Sequence, residues 1–256
     1  MRRAVLLDLF NTLVPGGTDI ERRTVTMAMA ELLGVPPAGY AEAFRRCWPE
    51  RFVGSLGDLA STVRAVAQRV GGSPSDDQVA AAAALRRRLT AGLLARVSAG
   101  TLAELDRLRR DGWLLAVVSN TTPESPDRFR DSPLASRFDT AAFSSELRVA
   151  KPDPAIYLAA CDALGVPPEL CVYVGDGADG ELAGAAALGM HPVRTVEHAD
   201  TDPAWPGPTI GTLADLPDGH ISLLSLPRLD DEAADVFDEI AAERATQRPR
   251  EIDFGE

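Results

Sequence analysis

The sequence predicts an α/β protein: a parallel, doubly wound sheet with a block of helices inserted after its first strand. Two observations lead there. Short, continuous apolar runs recur between helical patterns: "AVLL" at 4–7, "WLLAVVSN" at 113–120, "LCVYVGD" at 170–176 and "HPVRTV" at 191–196. Runs of that length suit strands buried on both faces, and strands alternating with helices imply parallel crossovers. The second observation is a break in this rhythm. Residues 15–98 carry helical patterns and no convincing strand.

Each element has a local reason. Residues 4–7 are too few for a helix and end at Asp8. The insert reads as helices over "DIERRTVTMAMAELLG", "SLGDLASTVRAVAQRVGG" and "SDDQVAAAAALRRRLTAGLLARV". Thr101 and Glu104 form a capping-box pattern that predicts the start of the next helix, with Leu102, Leu105 and Leu108 on one face and a stop at Asp111-Gly112. A third strand is expected at "FDTAAFSSEL". "DPAIYLAACDALG", 153–165, predicts a helix ended by Gly165, and "ELAGAAALGM", 181–190, another. Residues 196–209 form a Pro-rich loop. Residues 230–245 predict an acidic amphipathic helix carrying Val236, Phe237 and Ile240, followed by a disordered end, "TQRPREIDFGE". The expected division is a core of 1–14 and 99–226, a helical insert of 15–98, and an acidic helix and tail of 227–256.

Composition narrows the function classes. Hydrophobic residues make up 45% of the 256, enough for a sizeable core, and no apolar run approaches the roughly 20 residues needed to span a bilayer. The opening MRRAVLLDLF does not read as a secretory leader. Cys47, Cys161 and Cys171 have no metal or redox spacing and are expected to be buried apolar fillers in a reducing, cytoplasmic compartment. The net charge of −12 argues against nucleic acid or an anionic membrane as partner. Residues 229–256 hold ten acids against three arginines, so −7 of that charge sits in the tail. Of 26 basic residues, all are Arg except Lys151.

In open parallel sheets ligands bind outside the carboxyl ends of the strands. Those ends carry Asp8, then Ser119 and Asn120, then Lys151, then Gly175-Asp176 with Asp179 and Glu181 close behind. One crevice is thus expected to hold several carboxylates, a hydroxyl and the only lysine. Facing carboxylates repel unless a cation lies between them, and an all-oxygen donor set without His or Cys suits Mg²⁺. A carboxylate can act as nucleophile and form an acyl-phosphate, while Ser119 and a lysine can hold phosphate oxygens. "GDGADG", 175–180, also matches G-x-G-x-x-G, with Glu197 about twenty residues on as a dinucleotide fingerprint requires. Two features oppose that reading: Asp176 would set negative charge beside a pyrophosphate, and the motif falls in the fourth βα unit rather than the first.

With these residues in hand the chain resembles the haloacid dehalogenase (HAD) superfamily of hydrolases, most of them Mg²⁺-dependent phosphatases. "DLFNTL" resembles its first motif, "SN" the second, "KPDPAIY" the third and "GDGADGEL" the fourth. The resemblance implies a Rossmann-like core with a helical cap. It implies Asp8 as nucleophile, Ser119 as phosphate-oxygen ligand and Lys151 steadying the nucleophile. It also implies a Mg²⁺ site of Asp8, Asp176 and the Phe10 carbonyl, supported by Glu181 and Asp179. Thr12, Asn120 and the insert arginines Arg45 and Arg51, with Arg46 beside them, are candidate substrate contacts. The expected substrate is a small organic phosphate, and the expected state a monomer or homodimer.

Phe10 departs from the pattern. Phosphatases of this superfamily usually carry a second Asp there, which protonates the leaving group and activates water. General acid–base help is typically worth about 10²–10⁴-fold. Two alternatives follow: a metal-free haloacid dehalogenase, whose halide needs no proton, or a non-catalytic binding protein. The phosphonate-cleaving branch, which needs a lysine in the cap, is excluded because Lys151 is the only lysine.

Overall fold

The computed structural model describes residues 2–216. The predicted acidic helix and tail, with Val236, Phe237 and Ile240, lie outside the described residues.

Six strands form one sheet in the order β3-β2-β1-β4-β5-β6, all parallel: β1 Ala4–Leu7, β2 Leu114–Ser119, β3 Thr140–Phe143, β4 Cys171–Gly175, β5 His191–Thr195 and β6 Thr209–Ile210. The central strand β1 pairs in register with β2 (Leu7 opposite Val117) and β4 (Leu7 opposite Val174). The chain reverses direction across the sheet at β1, and the topological crevice therefore opens beyond Leu7, at Asp8.

Ten helices accompany the described strands: α1 Asp19–Leu33, α2 Pro37–Arg46, α3 Trp48–Phe52, α4 Leu59–Arg69, α5 Asp76–Leu94, α6 Ala99–Arg110, α7 Ser125–Arg130, α8 Ser144–Leu147, α9 Pro154–Leu164 and α10 Glu181–Ala187. Alternate side chains of each strand go to opposite faces. Val5, Leu7, Leu115, Val117, Val172 and Val174 pack with Leu105 and Leu108 of α6. Ala4, Leu6, Ala116, Val118, Cys171 and Tyr173 pack with Ile156, Tyr157, Ala160 and Leu164 of α9 and Leu182 and Ala185 of α10. Both faces are covered, which is why the strands read as unbroken apolar runs. The inserted helices α1 to α5 bury a separate cluster of their own, including Met29, Tyr40, Phe44, Val63, Val66 and Ala82.

Several boundaries differ from the sequence reading. The capping box expected at Thr101 and Glu104 is not used. The cap of α6 is Ser98, whose hydroxyl accepts from the Thr101 amide at 2.9 Å, and Glu104 turns to Arg107 instead. The helix expected from residue 55 starts at Leu59, because Asp58 caps it and Gly54 and Gly57 hold positive φ before it. Helices α2 and α3 had no predicted counterpart. Pro37 occupies the first turn of α2, where a missing N–H costs nothing. All three cysteines are free and buried, as expected.

Candidate active site

Asp8 follows the last residue of β1, and its amide donates to the Val174 carbonyl at 2.9 Å, extending the strand pairing by one step. Its carboxylate is nearly buried, 5% exposed. Oδ1 accepts from Ser119 Oγ at 2.9 Å and from Lys151 Nζ at 2.6 Å. Oδ2 has only the Thr12 hydroxyl, at 3.4 Å. The chain turns sharply after Asp8: Asn11 takes a left-handed φ of 66°, and its side-chain oxygen accepts from the Gly16 amide at 2.8 Å. Ser119 arrives from the end of β2, one strand over.

Lys151 is the hub. Its ammonium donates to Asp8, to Glu181 Oε2 and, at 3.1 Å, to Tyr173 Oη. Tyr173 Oη in turn donates to Glu181 Oε2 at 2.6 Å, and the second Glu181 oxygen accepts from the Gly177 amide at 3.0 Å. Tyr157, on α9, donates to the Glu181 carbonyl at 2.9 Å. Burial alone would lower the Lys151 pKa, but Asp8 and Glu181 overcome it and hold it above the ordinary lysine value. Burial pushes Glu181 up, to about 8, with Asp8 and Asp176 adding to the rise against the pull of Lys151.

Asp176 leaves the end of β4 on the other side of Asp8. Its Oδ1 accepts from the Ala178 amide at 3.2 Å, while Oδ2 is buried with no hydrogen-bond partner among the described residues. Burial raises its pKa, and the neighbouring Asp8 raises it further. The carboxylates of Asp8, Asp176 and Glu181 each present an oxygen within 4.8 Å of the others. Glu181 is already saturated by Lys151, Tyr173 and Gly177. Asp176 Oδ2, left over, lies beside the Asp8 carboxylate and gives with it an all-oxygen donor set that fits a hard divalent cation.

The glycine-rich turn serves this carboxylate cluster. A Cβ on Gly175 would lie 2.0 Å from Glu181 Oε1, so the bare backbone makes room for that carboxylate. The dinucleotide reading fails on the same observation, since the space over the turn is filled by an acid. Glu197 accepts from the Leu213 amide at 3.1 Å and plays no part in the crevice.

The remaining predicted residues separate. Asn120 is not a free substrate contact: its Oδ1 accepts from the Lys151 amide at 2.8 Å, and its Nδ2 donates to the Lys151 carbonyl at 3.2 Å and to Asp179 Oδ2 at 2.9 Å. It clamps the lysine loop, and Asp179 is its partner. Arg45 stands on the outer face of α2, bidentate to Glu42, and Arg46 shares the same acid. That pairing takes both out of the crevice. Arg51 is 2% exposed and lies inside the seam between insert and sheet.

The crevice thus holds a buried carboxylate just beyond the first strand, a lysine against it and a fourth-strand acid beside it. A model of the haloacid dehalogenase-like hydrolases matches residues 2–189. The chain belongs to that family. The glyceraldehyde 3-phosphate phosphatase of Methanopyrus kandleri is 30% identical over 198 residues, 76% of this chain and 84% of its own. The (S)-2-haloacid dehalogenase 4A of Burkholderia cepacia is 35% identical over 91 residues, 35% of this chain and 39% of its own. Among solved structures, a HAD phosphatase from Thermococcus onnurineus superposes with a TM-score of 0.61 at 22% identity, covering 89% of this chain and all of that one. The chain is therefore a HAD-family hydrolase.

Three buried contacts of this HAD-family chain were missed from the sequence. Tyr173 sits inside "LCVYVGD", where it reads as core, and Tyr157 inside a helix face. The buried ion pair of Arg86 with Glu124, at 2.7 Å, joins residues 38 apart in the chain, and no local pattern signals it.

Proposed function

We propose that this hydrolase is a Mg²⁺-dependent phosphomonoesterase that acts on a small organic phosphate through an aspartyl-phosphate at Asp8. The observation that carries the reading is the asymmetry of the Asp8 carboxylate: Oδ1 is held by Ser119 and Lys151, and Oδ2 is left for attack. Oδ2 attacks phosphorus, the P–O bond to the leaving group breaks, and the leaving oxygen takes its proton from solvent. Water then attacks the aspartyl-phosphate, inorganic phosphate departs and the Asp8 carboxylate is restored. Ser119 Oγ and Lys151 Nζ, both within reach of Asp8, turn to the phosphoryl oxygens as charge accumulates on them. Asp8, Asp176 and the Phe10 carbonyl would hold Mg²⁺, which supplies charge neutralisation for the phosphoryl group. The unpartnered, buried Asp176 Oδ2 supports that assignment and weighs against the metal-free dehalogenase reading. The inserted helices act as the cap that excludes water.

The test is a substrate panel of phosphate esters and chloro-acids, each with and without Mg²⁺, run on the native protein and on Asp8→Asn. Mg²⁺-dependent phosphate release that vanishes in Asp8→Asn is the expected outcome. Halide release without metal would replace this reading with dehalogenation, and inactivity on every member would leave a binding role.

A further inference from the structure

The Pro-rich loop of residues 196–208, between β5 and β6, lies against the turn that carries Asp176. The Thr201 hydroxyl donates to the Asp176 carbonyl at 2.6 Å. The next loop residue, Asp202, packs on Gly177, where an added Cβ would stand 2.5 Å from the Asp202 Cβ. Two consecutive loop residues thus touch two consecutive residues of the turn. The loop is itself anchored. Arg194, near the end of β5, holds it at both ends: Nη1 donates to Asp200 Oδ1 at 2.8 Å and to the Asp202 carbonyl, and Nε donates to Thr209 Oγ1 at 3.3 Å. The Arg194 amide adds a bond to the Pro208 carbonyl at 2.9 Å. Between these points Trp205 is buried among side chains that include Leu182 and Ala185 of α10. It lies so close to Gly207 that a Cβ there would stand 2.7 Å from the indole nitrogen.

The turn beneath the loop needs support from outside. Gly177, Asp179 and Gly180 take left-handed φ of 93°, 57° and 71°, so neither the strand ladder of β4 nor an α-helix continues through it. The Asp176 side chain is lightly held: Oδ1 takes one 3.2 Å bond from the Ala178 amide, and Oδ2 takes none among the described residues. The Thr201 bond fixes the 176–177 peptide, the backbone from which that carboxylate projects. Placement of this kind matters at a metal site. Outer contacts that orient a metal-binding acid typically change affinity by about 10- to 100-fold, because the donor atoms must be held to within about 0.5 Å.

We propose that Thr201 is a positioning residue for Asp176: its hydroxyl, carried by the loop that Arg194 and Trp205 anchor, sets the Asp176 carboxylate for divalent-cation binding. The inference rests on the Mg²⁺ reading of Asp8 and Asp176 and extends that site to a loop beyond the fifth strand. Thr201 touches neither the phosphoryl group nor the metal; it acts through the backbone of Asp176.

The test measures Mg²⁺ binding by calorimetry, without substrate, on the native full-length protein and on Thr201→Val, Thr201→Ser and Thr26→Val. Thr201→Val keeps the shape and loses the hydroxyl, whereas Thr201→Ser keeps the hydroxyl. Thr201 is exposed, so neither change disturbs the core. Thr26→Val is the control: it loses a bond of the same kind, from a hydroxyl to the Arg22 carbonyl at 2.8 Å, on helix α1 of the insert. Thr201→Val is expected to weaken the Mg²⁺ Kd by about 10-fold, the lower end of the range for outer contacts. Thr201→Ser should restore most of that loss, and Thr26→Val should bind as the native protein does. In turnover of nitrophenyl phosphate, Thr201→Val should need about 10-fold more Mg²⁺ for half-activation and approach the native kcat once Mg²⁺ saturates. Native Mg²⁺ binding that Thr201→Val leaves unchanged overturns this inference and leaves the metal reading standing. Equal weakening in Thr201→Val and Thr26→Val overturns it too, because a general loosening of the fold then accounts for the loss. A native protein that binds no Mg²⁺ removes the metal reading, and this inference falls with it.

Discussion

Lys151 Nζ donates to Asp8 Oδ1 at 2.6 Å and, from the same nitrogen, to Glu181. The chain's single lysine is thus shared between Asp8, just beyond β1, and an acid at the start of α10, all three nearly excluded from water. One ammonium offsets the mutual repulsion of two carboxylates held side by side.

Lys151→Met removes that ammonium and leaves both acids buried. Breaking a buried pair costs about 3–5 kcal/mol. The loss depends on pH. Without the lysine, the folded-state pKa of Glu181, already pushed up to about 8 by burial, rises further above its unfolded value. Stability is then kept below the ordinary carboxylate range and lost as pH rises through that raised value. Thermal melts of native and variant protein should therefore nearly coincide at about pH 4 and separate widely at about pH 8. Equal separation at both pH values would show that Lys151 acts through packing alone.

Asp176→Asn should do the reverse to the metal-free protein. Burial and Asp8 hold Asp176 above the usual carboxylate range, and its Oδ2 has no partner among the described residues. The folded state pays for ionising it, so the amide variant gains stability as pH rises through that raised pKa and gains nothing below the unfolded value. Mg²⁺ is expected to raise the Tm of the native protein, and the same change should abolish that increase. A Mg²⁺ shift that survives in Asp176→Asn would remove this residue from the metal site.

Tyr173→Phe deletes one hydroxyl that accepts from Lys151 and donates to Glu181. Leaving buried groups unsatisfied costs about 1–3 kcal/mol. Because the hydroxyl fixes where the ammonium sits, kcat should fall while KM barely moves, with the pH optimum displaced as Glu181 titrates in a new setting. A variant that is less stable but keeps the native pH profile would make Tyr173 merely structural.

Deleting 229–256 should leave turnover roughly intact. That stretch follows every site residue, and its charge of −7, ten acids against three arginines, would repel an anionic substrate. Steady-state kinetics of the truncated, folded protein decide the point, and a large loss of kcat/KM would assign the tail a direct role.

The strands and the four strand-end residues Asp8, Ser119, Lys151 and Asp176 were legible because each depends on short-range pattern plus one rule of sheet topology. Contacts that depend on the third dimension were not. Tyr173 and Val174 are neighbours in one apolar run, and only the pleat decides that Tyr173 faces α9 and reaches Lys151. Arg51 and Arg45 look alike as insert arginines; one stacks inside the seam and the other pairs outside with Glu42. The α6 boundary slipped because Ser98 and Thr101 both qualify as caps, and local pattern cannot rank two caps a single turn apart.

Phe10 carries the sharpest prediction. The ring is half-buried against the core cluster that contains Leu9, Leu13 and Val14, and residue 10 bridges to Val14. It offers a carbonyl and no proton. Attack by Asp8 does not require an acid at this position, whereas departure of an alkoxide and hydrolysis of the aspartyl-phosphate both benefit from one. The native protein should therefore favour nitrophenyl phosphate or an acyl phosphate over plain alkyl phosphates. Phe10→Asp should raise alkyl-phosphate turnover, up to the range of about 10²–10⁴-fold that general acid–base help supplies. The gain is opposed by the space the ring vacates and by the hydrogen-bond partners a carboxylate needs there. A dehalogenase would gain nothing from the same substitution and would release halide from a chloro-acid. Kinetics of both proteins on nitrophenyl phosphate, an alkyl phosphate and a chloro-acid separate these cases. Equal native rates on the two phosphates would mean that another residue delivers the proton, and Phe10 would then have no bearing on leaving-group choice.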